Sequence, residues 1–242
     1  MHRTAQAEPF FIVGSARSGT SLLRLMLNAH PDIAVPSESR FIVELWPGVD
    51  DIAVEEFLAE LSEHRLFALW GISIEAVRSE IGVSRRCRYS DAVAGAYRAF
   101  AAVHGKSTWG DKTPRYVEHI PFLAKLFPTS RFIHLVRDGR DVALSYANVP
   151  FGPKTVARAA LLWSQRVEMG IRDGRPLAPQ RYLEVKYEAL IAEPEPELVR
   201  LCDFLTVEFS PDMLDHTETT RELMLPRAVR HNPKIAQPPV AR

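Results

Sequence analysis

The feature that most constrains the fold of this chain is a glycine loop between two apolar segments near its start. The short apolar run Phe10–Val13 predicts a strand that ends at Gly14. The leucine-rich segment Thr20–His30 predicts a buried helix directly after the loop. In a strand–loop–helix unit, backbone N–H groups and the positive end of the helix dipole converge, so the unit is suited to binding an anion.

The rest of the chain repeats the alternation of strands and helices. Further strands are predicted at Thr108–Gly110, Arg131–Val136 and Tyr182–Val185. Helices are predicted at Tyr116–Phe127 with a restart at Pro121, at Asp138–Ala147, at Lys154–Ile171 and at Pro194–Phe204. Strands joined by helical crossovers predict an α/β fold, with a P-loop-type, open, mostly parallel sheet flanked by helices.

Residues 50–105 are predicted to form a helical insertion within a single domain that spans residues 1–242. The apolar residues of this stretch recur at helical spacing in three pieces, with capping candidates at Asp51, Ser73 and Ser90. The last stretch, 225–242, carries several prolines without a clear period and is predicted to be an irregular tail.

Composition narrows the functional classes. The 30 basic and 30 acidic residues balance, so nothing global favours a nucleic-acid partner and any anion site must be local. No run reaches the roughly 18 apolar residues of a membrane span, and the polar opening Met1–Pro9 does not have the pattern of a signal peptide. We therefore expect no stable membrane insertion. The two widely separated cysteines, Cys87 and Cys202, favour a cytoplasmic location.

The first loop has the glycines of a triphosphate-binding loop but a different cation. Gly14 and Gly19 match the pattern G-x-x-x-x-G-K-S/T, whereas Thr20 stands at the position of the lysine that reaches β- and γ-phosphates. Arg17 lies within the loop instead, and its guanidinium offers a fixed fork of donors. The loop therefore predicts an anion other than a triphosphate. The alternative is an ordinary Gly/Ser turn.

A second candidate anion site follows the predicted strand Arg131–Val136. Arg137 comes directly after that strand, and Ser145 lies about two helical turns further on. In an open parallel sheet, ligands bind outside the carboxyl ends of the strands. We predict that Arg137 and Ser145 bind a second phosphate. The alternative makes Arg137 and Arg140 surface partners of the neighbouring aspartates.

These segments resemble the sulfotransferases that use 3′-phosphoadenosine-5′-phosphosulfate (PAPS), in particular the branch of tyrosylprotein sulfotransferases and bacterial relatives. Arg17–Ser21 resembles the family's 5′-phosphosulfate loop, and Arg137 with Ser145 resembles its 3′-phosphate motif. Val185–Leu190 resembles a segment whose tyrosine lies at the nucleotide. The resemblance implies PAPS as co-substrate, bound by Arg17, Ser18, Gly19, Thr20, Ser21, Arg137, Ser145 and Tyr187.

The resemblance also implies a catalytic base. The segment Pro36–Arg40 is similar to the one that carries the base in tyrosylprotein sulfotransferases, which assigns that role to Glu38 and a substrate-binding role to Arg40. A carboxylate beside the sulfur can take the proton of an attacking hydroxyl. The alternative for Glu38 is a solvent-facing carboxylate paired with Arg40.

A catalytic lysine follows from the same resemblance. Gly110–Pro114 resembles the family segment whose lysine contacts the transferring group, which assigns that role to Lys112. Together with Arg17, this lysine is expected to stabilise the charge that develops on the leaving phosphate. The reaction depends on positioning and charge stabilisation, and no metal is required. The alternative for Lys112 is a surface ion pair with Asp111.

These assignments predict an enzyme that moves a sulfuryl group from PAPS to an acceptor hydroxyl and releases adenosine 3′,5′-bisphosphate. The acceptor stays open among small-molecule phenols, glycans, lipids and tyrosine, with the insertion 50–105 expected on the acceptor side. Two other functions stay open. A kinase-like phosphotransferase is disfavoured by Thr20, and a non-catalytic nucleotide-binding protein would need neither Glu38 nor Lys112. The oligomeric state is open, with a homodimer among the options.

The sequence departs from the family pattern in three places. Val149 stands where an additional arginine is expected, and no cysteine pair corresponds to that of the secreted tyrosylprotein enzymes. The family's chain usually continues past a basic loop, and it stays open whether Lys234 helps close the nucleotide site. The missing cysteine pair again favours the cytoplasm over the Golgi.

Overall fold

A computed structural model describes residues 9–147, 149 and 151–215 of the chain. Its strands are β1 (Phe10–Gly14), β2 (Ile33–Ala34), β3 (Asp51–Ala53), β4 (Arg86–Arg88), β5 (Thr108–Lys112), β6 (Arg131–Val136) and β7 (Tyr182–Lys186). Five of them form one sheet in the order β2-β5-β1-β6-β7, and every pairing in it is parallel. β3 and β4 form a separate antiparallel pair.

Helices separate the strands along the chain. They are α1 (Thr20–Ala29), α2 (Phe41–Glu44), α3 (Val54–Glu63), α4 (Ile74–Ile81), α5 (Tyr89–Val103), α6 (Ile120–Leu126), α7 (Gly139–Ala147), α8 (Val156–Gly174), α9 (Tyr187–Ala192) and α10 (Pro194–Leu205). Short 3-10 helices cover Phe67–Trp70, Pro114–His119, Arg175–Leu177 and Pro211–Met213. None of the helices in the described part of the chain is both long and apolar enough to cross a membrane.

The predicted fold class, a mostly parallel sheet flanked by helices with a helical insertion, is confirmed. All four predicted strands are present, and β6 has the predicted bounds. The predicted helix Tyr116–Phe127 is divided, as expected from Pro121, into a 3-10 helix and α6. Strand β2 was not predicted, because its two residues, Ile33 and Ala34, are too few to show a period.

The insertion 50–105 contains three α-helices, as predicted, and also the antiparallel strand pair β3–β4, which was not predicted. Its strand β4 reads Arg-Cys-Arg, which lacks the apolar alternation of a half-buried strand. Of the three capping candidates, Ser73 accepts a hydrogen bond from the backbone of Ala76 (3.2 Å). The other two were wrong: Asp51 lies in β3 and pairs with β4, and Ser90 lies within α5.

The core has two layers, one on each face of the central sheet. Because side chains alternate along a strand, Phe10 and Ile12 of β1 point to the face covered by α1 and α10. Phe11 points to the opposite face, which the insertion covers, and its ring stacks on that of Phe132 with centroids 5.4 Å apart. All five residues of β1 are buried. A strand covered on both faces accounts for the continuous apolar run in the sequence.

Some predictions fall outside the described residues. They are the irregular tail 225–242 and the contribution of Lys234. The single-domain assignment stays a prediction for the whole chain. Cys87 and Cys202 are free thiols in the structure, half-buried and buried respectively.

Gly170 marks a close approach of α8 to the sheet. A Cβ atom on Gly170 would lie 2.3 Å from the buried ring of His134 in β6. We expect Gly170→Ala to lower the free energy of unfolding by about 1–2 kcal/mol, because so close a contact puts overpacking near the upper end of its usual range of about 1–3 kcal/mol, and this outweighs the roughly 1 kcal/mol that alanine gains over glycine in a helix. Urea denaturation measures the change, with Ala160→Gly on the exposed face of α8 as the control for helix propensity. A Gly170→Ala protein more stable than the wild type would contradict this packing.

Candidate active site

The carboxyl ends of four neighbouring strands bring the predicted site residues together. Gly14 ends β1 and leads into the first loop, and Lys112 ends β5 on one side of it. Arg137 follows β6 on the other side, and Tyr187 follows β7. Because these strands are parallel neighbours, residues far apart in the sequence meet at one edge of the sheet.

The first loop, residues 15–19, has the backbone geometry of an anion-binding turn. Arg17 and Gly19 both adopt left-handed conformations, with φ of +73° and +95°. Alternation with a left-handed residue turns successive N–H groups toward one concave side, the arrangement that binds anions. The hydroxyl of Ser18 is buried and has no hydrogen-bond partner among the described residues. Thr20 and Ser21 open α1, where the helix dipole adds positive potential.

The loop contacts the second predicted anion site directly. Arg17 Nε donates a hydrogen bond to Ser145 Oγ in α7 at 3.0 Å. Burial lowers the pKa of Arg17 from its ordinary value, an effect that Tyr146 opposes and the positive charge of Arg137 reinforces. Burial and the nearby positive charge of Arg137 both disfavour the charged form of Arg17, so a bound anion would be stabilised at this end of the site.

Tyr187 packs between the loop and Arg137. Cζ of the Arg137 guanidinium lies 4.5 Å from the centroid of the Tyr187 ring, a cation–π contact. On its other side the ring is so close to Gly19 that a Cβ atom there would lie 2.3 Å from it. Tyr187 therefore holds Arg137 in register with the loop, and Gly19 is required for both its conformation and its lack of a side chain.

The two arginines that follow β6 differ in their surroundings. Arg140 is 89% exposed and pairs with Asp138, so the alternative of a surface ion pair holds for this residue. Arg137 also has an acidic partner, with Nη2 3.0 Å from Asp141 Oδ2. Its Nε, however, is buried and has no partner in the described part of the chain. Arg137 thus keeps donor capacity in a position that faces the site.

Glu38 and Lys112 form an ion pair with Lys112 Nζ 2.9 Å from Glu38 Oε1. Lys112 is only 5% exposed, whereas the Glu38 side chain retains 37% of its exposure. Both alternatives considered from the sequence are therefore wrong: Lys112 is not a surface residue paired with Asp111, and the salt bridge of Glu38 is not with Arg40. The pair was not predicted, because its members lie 74 positions apart.

Three cations surround the Glu38 carboxylate. Loss of hydration raises the pKa of Glu38, but the charges and hydrogen bond of Lys112 together with the charges of Arg40 and Arg24 outweigh it, so the pKa lies below its ordinary value. Glu38 is therefore ionised at neutral pH. Arg40 is the residue before α2, has a φ of +56°, and its Nε is buried without a partner among the described residues.

Arg24 is a site residue that the sequence analysis missed. It lies on α1, is buried, and donates to the carbonyl of Val35 at 3.3 Å. Burial lowers the pKa of Arg24 to about 10, which the charge of Glu38 partly offsets. A signal was present in the sequence, since Arg24 interrupts a leucine-rich helix. A buried arginine needs an acceptor or a negative charge nearby, and the positive charge of Arg24 interacts with the carboxylate of Glu38.

A cluster of buried polar side chains lies next to the Lys112–Glu38 ion pair, and we call this cluster the Asp111 network. Tyr97 Oη donates to Asp111 Oδ2 at 2.6 Å, and Thr113 Oγ1 lies 3.3 Å from the same oxygen. The backbone N–H of Ser39 donates to Thr113 Oγ1 at 3.1 Å, and Ser39 Oγ is 3.0 Å from Tyr116 Oη. All five side chains are buried. No local pattern pointed to this cluster, which joins four separate segments.

The burial of Asp111 predicts that the stability of the protein depends on pH. Burial raises the pKa of Asp111 to about 6, against the hydrogen bond from Tyr97. The pKa of Asp111 is higher in the folded than in the unfolded state. As the pH rises from the unfolded-state pKa to the folded-state pKa, the unfolded chain loses this proton more readily than the folded protein, so the free energy of unfolding falls. We expect the wild type to lose about 3 kcal/mol relative to Asp111→Asn between about pH 4 and pH 7.

Urea denaturation across this pH range measures the difference. Asp203→Asn, on the exposed face of α10, is the control for loss of a carboxylate as such. A difference between wild type and Asp111→Asn that stays constant with pH would contradict the assignment.

The sequence of this chain is similar to those of known sulfotransferases. Residues 9–211 match the model of a protein family described as the Sulfotransferase family. A protein-tyrosine sulfotransferase of Drosophila melanogaster is 27% identical over 215 residues, which are 86% of this chain and 40% of that protein. Nodulation protein NoeE of Sinorhizobium fredii is 32% identical over 223 residues, covering 79% of this chain and 48% of that protein. This chain thus spans about half the length of such curated relatives.

A solved structure extends the similarity to the fold. The sulfotransferase domain from the Synechococcus PCC 7002 olefin synthase is 26% identical to this chain and superposes with a TM-score of 0.69. The match covers 96% of this chain and 86% of that domain. The predicted P-loop-like α/β fold and the predicted family resemblance are both confirmed.

Proposed function

Because this chain belongs to the sulfotransferase family, we propose that it transfers a sulfuryl group from PAPS to a hydroxyl group of an acceptor. One observation carries the proposal: an anion loop without the triphosphate lysine lies at the same sheet edge as the ion pair between buried Lys112 and partly exposed Glu38. The loop suits the 5′-phosphosulfate, and the ion pair offers a cation and a base for the transfer itself.

The nucleotide site in this proposal has two parts. Arg17 and the backbone of residues 18–21 hold the 5′-phosphosulfate at the start of α1. Arg137 and Ser145 hold the 3′-phosphate, and the ring of Tyr187 orients Arg137. Ser18 Oγ and Arg137 Nε, buried and without a partner among residues 9–147, 149 and 151–215, support this assignment, because anion oxygens would satisfy both donors.

The transfer follows from the groups around Glu38. The acceptor oxygen attacks sulfur as the bond between sulfur and the bridging phosphate oxygen breaks, and that oxygen keeps the electron pair. The hydroxyl proton passes to Glu38, which is ionised beforehand because of its lowered pKa. Protonated Glu38 attracts Lys112 less, which frees the ammonium group to stabilise the leaving phosphate together with Arg17. The products are a sulfate ester and adenosine 3′,5′-bisphosphate.

The other two functions fit less well. A kinase-like phosphotransferase needs a cation for the γ-phosphate, and Thr20 occupies that position. A non-catalytic nucleotide-binding protein has no use for a largely buried Lys112 paired with Glu38, whose desolvation costs stability. Arg40 lies two residues after Glu38, and its Nε has no partner in the described part of the chain; it is proposed to contact the acceptor. The class of acceptor, the cytoplasmic location and a homodimer stay predictions from the sequence.

The proposal predicts selective binding of adenosine 3′,5′-bisphosphate. We expect calorimetry to give tighter binding of this product than of adenosine 5′-monophosphate or of ATP with Mg²⁺. Arg137→Ala should weaken the binding by about 10- to 100-fold, the value of a charge-assisted hydrogen bond. Arg140→Ala, which removes an exposed arginine of the same segment, should leave it unchanged. Preference for ATP with Mg²⁺, or equal effects of the two substitutions, would contradict the proposed 3′-phosphate site.

The proposal also predicts that Glu38→Gln lowers kcat by about 10²–10⁴-fold, because the acceptor proton loses its base. The measurement follows sulfuryl transfer from labelled PAPS to a tyrosine peptide, 2-naphthol, a hexose, a long-chain alcohol and water. Binding of adenosine 3′,5′-bisphosphate should stay close to that of the wild type. Glu44→Gln, which removes an exposed carboxylate in α2, is the matched control. An unchanged rate in Glu38→Gln would exclude this residue as the base.

A further inference from the structure

Glu38 lies on a segment without regular backbone pairing, between the end of β2 at Ala34 and the start of α2 at Phe41. A base on such a segment needs other contacts to hold it within reach of the reacting atoms. Those contacts are made by the residues on either side of Glu38.

Both neighbours of Glu38 are anchored, one of them by the insertion 50–105. The indole Nε1 of Trp70 donates to the carbonyl oxygen of Ser37 at 3.1 Å. On the other side, Ser39 is bound through its backbone N–H to Thr113 and through its hydroxyl to Tyr116. The base is thus flanked by two buried anchors, while its own carboxylate stays partly exposed.

The Asp111 network joins the second anchor to Lys112. Asp111 and Thr113 are the immediate neighbours of Lys112 in the chain, and Thr113 Oγ1 hydrogen-bonds to Asp111 Oδ2 while accepting from Ser39. Because side chains alternate along a strand, Asp111 points away from Lys112 and into the layer formed by the insertion. There its carboxylate accepts the hydrogen bond from Tyr97 on α5.

The two anchors also touch one another inside the insertion. The rings of Trp70 and Tyr97 make an edge-to-face contact with centroids 4.9 Å apart. One pair of aromatic residues therefore holds the carbonyl before Glu38 and the carboxylate before Lys112. Asp111 Oδ1 is buried without a partner among the described residues, so the network is costly for stability. Packing alone does not require a carboxylate at this position.

We propose that Tyr97 and Asp111 are positioning residues for sulfuryl transfer, which act by fixing Glu38 relative to Lys112 through Thr113 and Ser39. This inference rests on the proposed role of Glu38 as the base. Tyr97 lies within the insertion on the acceptor side, so the network couples that layer to the catalytic pair without contacting the substrate. The nucleotide loop and Arg137 lie outside the network and are expected to be unaffected by changes in it.

The test compares Tyr97→Phe with Tyr182→Phe. Tyr182 is a matched control, because its hydroxyl also makes a buried hydrogen bond, to His134 Nδ1 at 2.7 Å, but at the amino end of β7. The measured rate is sulfate release from labelled PAPS with water as acceptor. We expect Tyr97→Phe to lower kcat by about 10- to 100-fold, the effect of a slightly misplaced base, with KM for PAPS unchanged. Tyr182→Phe should lower the melting temperature by a similar amount without this loss.

Thr113→Val gives a second route to the same result, since it removes the acceptor for the Ser39 N–H at nearly constant volume. We expect it to lower kcat in the same way as Tyr97→Phe. Equal losses of kcat in Tyr97→Phe and Tyr182→Phe, or unchanged kcat in both network variants, would overturn the inference.

A double-mutant cycle separates this inference from the proposed function. If Tyr97 acts through Glu38, Tyr97→Phe should have little further effect in a Glu38→Gln background. Fully additive losses would overturn the positioning role while leaving Glu38 as the base. If Glu38→Gln alone leaves the rate unchanged, the proposed role of Glu38 fails, and the positioning role fails with it.

Discussion

Parallel pairing of β1 with both β5 and β6 is the constraint on which the site depends. Ile12 is in register with Lys112 on one side, and Gly14 is in register with Leu135 on the other. This register places the carboxyl ends of three strands within a few residues of one another along the sheet, so the loop after β1 opens between Lys112 and Arg137. A shift of register would separate the anion loop from one or other of its cations.

The charges of the site are local, since the acidic and basic residues of the whole chain balance. Burial is what makes these charges effective. Arg17, Arg24 and Lys112 are withdrawn from water to different degrees, and in a medium of lower dielectric their attraction for an anion is larger than at the surface. Arg140, three residues after Arg137, differs from these cations because it is exposed to water and its charge is paired with that of Asp138.

The insertion 50–105 contributes rigidity as well as a boundary. Its Trp70 and Tyr97 lie between Phe41 and Trp109, which are outside the insertion, in one aromatic layer whose successive ring centroids are no more than 5.4 Å apart. The Asp111 network passes through this layer to the end of β5. A hydrophobic layer that contains a hydrogen-bonded polar path can hold a base in place more firmly than a solvated loop could.

The sequence by itself determined the elements that depend on local spacing. The glycine loop, Arg17 and Thr20 define the proposed anion site within a few residues. Arg137 directly follows β6 and Ser145 lies in the next helix, so their placement in the fold was predictable. Only the tertiary structure decided the pairing of Lys112 with Glu38, the burial of Arg24 and the Asp111 network. These contacts join segments that are distant in the chain. Asp111 lies on a strand and Tyr97 on a helix, and the two side chains meet only because that helix packs against that strand. The spacing of residues along the sequence does not predict this packing. Their partners are set by the order of the strands, which brings β2, β5 and the insertion together.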